Sequence, residues 1–109
     1  MKITQVNHVN LIGQMSGEPR FYTLPNGSKL VRFSLSTQET LLDEEGNIQN
    51  IKNWHRLCAW GSWVSLIEKM GAAGQALAVE GKLKSRYYKT KTGEAKSISE
   101  VEVNDLIIL

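Results

Sequence analysis

A chain of 109 residues is long enough for one domain and too short for two. Hydrophobic residues make up 41% and charged residues 22%, which excludes a disordered polyelectrolyte, while a formal charge of +2 excludes a protamine-like or strongly acidic polypeptide. A lone cysteine, Cys58, excludes an internal disulfide, and with His8 and His55 it leaves too few soft ligands for an intramolecular structural zinc.

Residues 1 to 30 carry Asn, Gln, Glu, Arg and Lys throughout, with no apolar run fit for a signal-peptide core or a membrane span, so a cytoplasmic soluble domain is expected. Val9 and Leu11 alternate with His8 and Asn10 and predict a strand from about residue 5 to 13, ended by Gly13. Pro25-Asn26-Gly27 predicts a turn, since Pro presets φ and Asn and Gly tolerate positive φ. Val31, Phe33 and Leu35 then alternate with Arg32, Ser34 and Ser36, the pattern of a strand with one buried face. Glu39, Asp43, Glu44 and Glu45 lead into Gly46-Asn47, an acidic solvated turn that lacks the ligand spacing of a calcium loop.

A third strand is predicted over residues 53 to 60, and the period then changes. Trp63, Leu66, Ile67 and Met70 form the stripe of a short helix, with Ser62 as its N-cap and Gly71 and Gly74 as its stop. This stripe packs on a sheet, which puts Trp63 in the core. Alternation returns with Leu77, Val79, Gly81 and Leu83 on one face and Ala78, Glu80, Lys82 and Lys84 on the other, Arg86 and Tyr88 extending the second face. After a Lys-Thr-Lys-Thr-Gly turn, Val101 and Val103 mark a last strand.

Three strands, one helix and two strands is the element order of an all-β OB-fold, a five-stranded Greek-key barrel with one short helix between strands 3 and 4, spanning residues 1–109 as a single domain. An α+β sandwich could produce the same string.

The chemistry concentrates in two places. Between Lys82 and Lys96 six basic residues face one acid, Glu94, giving +5, so the rest of the chain carries −3. Tyr87 and Tyr88 sit inside this stretch, and cations interleaved with flat rings are what single-stranded nucleic acid needs: charge to follow phosphates and platforms on which bases stack. A solvated lysine-rich hairpin is the competing reading. On the third strand Trp54, Arg56, Cys58 and Trp60 share one face and Asn53, His55, Leu57 and Ala59 the other. Both faces carry apolar residues, and alternation alone does not say which is buried.

Val6-Asn7-His8-Val9, Leu11-Ile12-Gly13, Pro19, Pro25-Asn26-Gly27 and Phe33-Ser34-Leu35-Ser36-Thr37 resemble the opening of the bacterial single-stranded DNA-binding proteins. Trp54-His55-Arg56, Trp60-Gly61, Val79-Glu80-Gly81-Lys82-Leu83 and Glu100-Val101-Glu102-Val103 continue the resemblance in order, from about residue 5 to 105. It implies an OB-fold without cofactor, assembled as a homotetramer in the cytoplasm, that binds single-stranded DNA in replication, recombination and repair. By the same resemblance Trp54, Trp60 and Tyr88 stack on bases; the cations of the two clusters above, Arg56, Lys82, Lys84, Arg86, Lys89 and Lys91, are then expected to meet the phosphates. His55, with Val9 and Leu11, falls at the subunit interface, which turns Trp54 toward DNA. Departures from the family pattern are Leu41, where several members carry another stacking aromatic, and Ser62, Ala72 and Ala73, where one member has cations. The sequence ends at Leu109 without the family's acidic tip, so partners recruited by that tip are not expected of it.

An OB-fold adaptor acting mainly through protein contacts, of the primosomal type, is the alternative, against which the Trp54-His55-Arg56 match argues. An enzyme is not expected: the acidic cluster at Asp43 to Glu45 has no basic or histidine partner nearby, and no nucleophile constellation or phosphate-binding loop is present.

Overall fold

The computed structural model describes residues 5–109, as five strands and one helix: β1 (Val9–Thr23), β2 (Lys29–Leu42), β3 (Ile48–Trp60), α1 (Ser62–Met70), β4 (Ala76–Lys89) and β5 (Ala95–Ile108). The strands close into a barrel in the order β1-β2-β3-β5-β4, antiparallel except where β3 meets β5 in parallel through Leu57 with Val101 and Cys58 with Glu102. This is the OB-fold architecture that the element order predicts, and the α+β sandwich is excluded.

The first strand runs ten residues beyond its expected end. Gly13 does not stop it: a Cβ there would lie 2.1 Å from the carbonyl oxygen of Ser36, so this glycine permits a close approach of β1 to β2. Partner exchange occurs at the same place, Val9–Gln14 pairing with β4 and Gln14–Thr23 with β2. A register shift between Ser16 and Arg20, around Gly17 at φ 76°, bends the strand so that it serves both sides of the barrel. Pro25-Asn26-Gly27 makes the predicted turn, where Asn26 Oδ1 accepts a hydrogen bond from the Ser28 amide at 3.0 Å.

Inward alternation fills the barrel with Val31, Phe33 and Leu35 of β2, Leu57 and Ala59 of β3, Leu77 and Val79 of β4, and Val101 and Val103 of β5. The helix closes one end, and here two expectations need correcting. Its buried residues are Val64 and Ile67, with Trp63 and Leu66 packed partly against the core, whereas Met70 is exposed. Its N-cap is Gly61 at φ 64°, and Ser62 begins the helix without any side-chain cap. The chain leaves the helix tightly: the Gly74 amide donates to the Met15 carbonyl at 2.7 Å, and the Met15 amide to Gln75 at 2.8 Å, which ties β1 to the start of β4.

β2 and β3 pair without a break from Leu30–Trp60 to Leu42–Ile48, so their outer ends form a long hairpin projecting from the barrel. At its tip Asp43 organises the turn: its Oδ1 accepts the amides of Asn47 at 2.8 Å and Glu45 at 3.0 Å. These bonds, Asn47's foremost, hold the Asp43 carboxyl below its ordinary value.

Candidate nucleic-acid interface

Burial settles which face of β3 is which. Leu57 and Ala59 lie in the core, whereas Trp54 is 62% exposed and Trp60 39%. The paired register carries this outward face across the sheet, because cross-strand partners share a side. Trp60, Cys58, Arg56 and Trp54 of β3 stand opposite Leu30, Arg32, Ser34 and Ser36 of β2. Farther up the hairpin Lys52 joins them, its Nζ 6.0 Å from the centre of the Trp54 ring.

On the other side of β3, β5 brings Glu102 beside Cys58, and β4 brings Lys82 opposite Glu102, Lys84 opposite Glu100, Arg86 opposite Ile98 and Tyr88 opposite Lys96. The one irregularity between β4 and β5 falls between Glu80 and Gly81, before these residues, so from Lys82 to Tyr88 the alternation is regular. Trp54, Arg56, Trp60, Lys82, Lys84, Arg86 and Tyr88 therefore occupy one outer surface. Lys89 does not join them: it pairs with Ala95 on the opposite face, alongside Tyr87, and Lys91 lies in the β4–β5 turn. The same register separates Leu41 from Trp54, since Leu41 pairs with Gln49 on the far side of the hairpin while the exposed Leu42 and Ile48 share the Trp54 side.

Folding also returns acids to the basic stretch. Glu102 forms an ion pair with Lys84 at 2.5 Å, a contact that raises the lysine's pKa. Glu100 is only 7% exposed and takes two arginines at once, Arg32 Nε at 3.5 Å and Arg86 Nε at 3.6 Å from its Oε2. Cys58 lies against the same carboxylate; burial, and then the charge and hydrogen bonding of Glu100, push its thiol up to about 12. Arg56, Lys52 and Lys82 have no carboxylate partner among the described residues. A groove of about 500 Å³ opens over this cluster, lined among others by Arg20, Tyr22, Arg32, Arg56, Arg86 and Glu100, with the Arg32 guanidinium 5.4 Å from the Tyr22 ring centre.

Sequence reasoning missed Arg32, Lys52 and Glu100 as members of this surface. Lys52 could have been found by carrying the Trp54 alternation up β3. Arg32 and Glu100 could not, because their places depend on the register between paired strands.

The three residues expected at a subunit interface are all partly exposed in the single chain. His55 is half-buried on the core-facing side of β3 and hydrogen-bonds through Nε2 to Thr37 Oγ1 at 2.9 Å. Val9 and Leu11 pack partly against the core, so on that strand the outward side chains are Asn10 and Ile12. Ile12, with Ala78 and Ile107, borders a cavity of about 590 Å³ on the outside of β1, β4 and β5.

A closed barrel with an aromatic and cationic outer face defines an oligonucleotide-type OB domain. The chain belongs to the Single-strand binding protein family, whose sequence model matches residues 6–109. It is 32% identical over 105 residues to Single-stranded DNA-binding protein 1 of Chlorobaculum tepidum, covering 95% of this chain and 65% of that protein, a little under two thirds of the relative's length. Its fold matches that of the Plasmodium falciparum SSB in complex with ssDNA with a TM-score of 0.87 and 32% identity, over 100% of this chain and 99% of that one. A deletion mutant of the single-stranded DNA binding protein from Thermus aquaticus matches with a TM-score of 0.83 and 26% identity, over 95% of this chain and 50% of that one. Among the described residues no helix is long and apolar enough to cross a membrane.

Proposed function

We propose that this chain binds single-stranded DNA without reading its sequence, and serves as a non-enzymatic coat for exposed strands during replication, recombination and repair in the cytoplasm. The observation that carries the reading is the sorting of side chains by alternation: Trp54, Trp60 and Tyr88 interleave with Arg56, Lys82, Lys84 and Arg86 on one outer surface, while Leu57 and Ala59 between Arg56 and Trp60 face the core. Rings accept any base because every base has a π-face, and cations follow the phosphates. Family membership and the likeness to a relative solved with ssDNA support the same reading.

A single barrel offers a short path for a polymer, and assembly into a homotetramer would multiply it. The exposed Ile12 and Ile107 across β1 and β5 favour such an assembly, as unpartnered apolar surface does generally. The test is a titration with oligo-dT followed by tryptophan fluorescence at several salt concentrations, together with the mass in solution. Binding that weakens with salt by about 0.7 log units per log unit and phosphate contacted supports the reading. An unchanged fluorescence with no salt-dependent binding refutes it, and a stable monomer refutes the tetramer.

A further inference from the structure

A carboxylate buried beneath a surface meant for a polyanion is an unfavourable choice unless it does something for its neighbours. Glu100 costs desolvation and repels phosphate, yet it sits at the floor of the groove. Its contacts are specific: one oxygen, Oε2, lies within ion-pair distance of the Nε atoms of both Arg32 and Arg86, at 3.5 and 3.6 Å. Those two Nε atoms are buried and make no hydrogen bond, so the charge of Glu100 is what compensates them. The side chains of Arg32 and Arg86 nevertheless remain 29% and 39% exposed, so what solvent reaches is the rest of each side chain, and both line the groove. The Tyr22 ring, its centre 5.4 Å from the Arg32 guanidinium, adds a cation–π contact to the same side chain.

We propose that Glu100 is a positioning residue for the phosphate backbone of single-stranded DNA. By holding Arg32 and Arg86 at Nε it orients two planar guanidinium forks, with their terminal nitrogens free for phosphate oxygens in the groove that Arg20 and Arg56 complete. A guanidinium recognises phosphate through a fixed fork, so orientation matters as much as charge. The inference rests on the DNA-binding reading above and adds to it two contacts that the basic stretch at residues 82–96 does not contain or explain, Arg32 and its anchor.

Charge and orientation predict opposite signs for one substitution. Glu100→Gln keeps the shape and raises the net charge from +2 to +3, so simple attraction would tighten oligo-dT binding. Positioning requires it to weaken, roughly 10-fold at fixed salt, with the salt slope flattened by about 0.7 for each arginine that loses its phosphate. Arg32→Lys and Arg86→Lys form the second arm: each keeps its charge and loses Nε, and each should weaken binding severalfold. Val64→Ala, a core truncation in α1, controls for lost stability and should leave the affinity of the folded protein unchanged. Circular dichroism checks folding, and the lysine variants carry the test should Glu100→Gln not fold. Folded Glu100→Gln that binds as tightly as the parent or more tightly, or lysine variants at parental affinity, overturn the proposal. Failure of the unsubstituted chain to bind oligo-dT overturns instead the reading on which it rests.

Discussion

Replacing Trp54 by Ala removes a ring and no charge, and so separates stacking from phosphate attraction. Trp54 lies outside the core cluster, so the folded state should lose less than about 0.5 kcal/mol. A base stacked on such a ring is worth roughly 1–3 kcal/mol. Part of that is already taken up by Lys52, 6.0 Å from the ring centre, whose exposed cation–π contact is worth about 0.5–1 kcal/mol and must be shared with or displaced by the base. The net loss for Trp54→Ala is then about 0.5–2 kcal/mol, or roughly 2- to 30-fold in Kd. Titration with oligo-dT at three salt concentrations, read through the remaining tryptophans Trp60 and Trp63, gives both Kd and its slope against salt. The slope should stay at the parental value. A loss below about twofold, or a slope flattened by the ~0.7 expected of one phosphate, would refute the division of labour between rings and cations.

Cys58 should resist thiol reagents in the native protein at pH 8 and react only after unfolding, since it is buried and its thiol is pushed up to about 12; rapid native labelling followed by absorbance would contradict that environment. Asp43 has a folded pKa below its ordinary 3.8, so its contribution to the β2–β3 turn is complete above that unfolded value and fades as pH falls through the lower folded one. Protection of the Glu45 and Asn47 amides relative to their intrinsic exchange rates should accordingly fall at low pH in the parent, and Asp43→Asn should remove most of that dependence; an unaltered acid response would count against the turn bonds. Gly81→Ala places a Cβ 2.1 Å from the Glu102 carbonyl oxygen, and the backbone shift that follows should cost roughly 1–3 kcal/mol, measured by urea denaturation. Parental stability in that variant would mean that β4 and β5 lie farther apart at this point.

Much of the fold was legible because it depends on local alternation. Val31, Phe33 and Leu35 announced a buried face, and the switch to helical spacing at Trp63 announced α1. What escaped depended on approach between distant segments. Gly13 reads as a breaker in sequence because the Ser36 carbonyl that demands a glycine is not visible there. The helix stripe held at Trp63, Leu66 and Ile67 and failed at Met70 for a related reason: Val64 is buried instead because the barrel end decides which face of a short helix is covered. For the candidate site, parity within a strand grouped Trp54, Arg56 and Trp60 correctly, but parity across a hairpin needs the register, and the register put Lys89 and Leu41 on the other side.

The net charge of +2 is the sum of two separated populations, and the structure divides them more finely than the sequence does. The +5 of residues 82–96 is offset where it matters, because Glu102 neutralises Lys84 and Glu100 lies under Arg86. Attraction on this face must therefore come largely from cations whose charge is not already committed, Arg56, Lys52 and Lys82, and from arginines whose Nε alone is committed. Counting lysines overstates the pull on a polyanion. Long strands compensate by extending the path: β3 runs 13 residues, more than twice the roughly 5–6 of an average strand, and only its end from Leu57 to Ala59 is buried. The remainder leaves the barrel as a hairpin edge whose outer side continues the line of Trp54 through Lys52. Core and binding face are thus two phases of one alternation, and the strand length beyond the core sets how far that face extends.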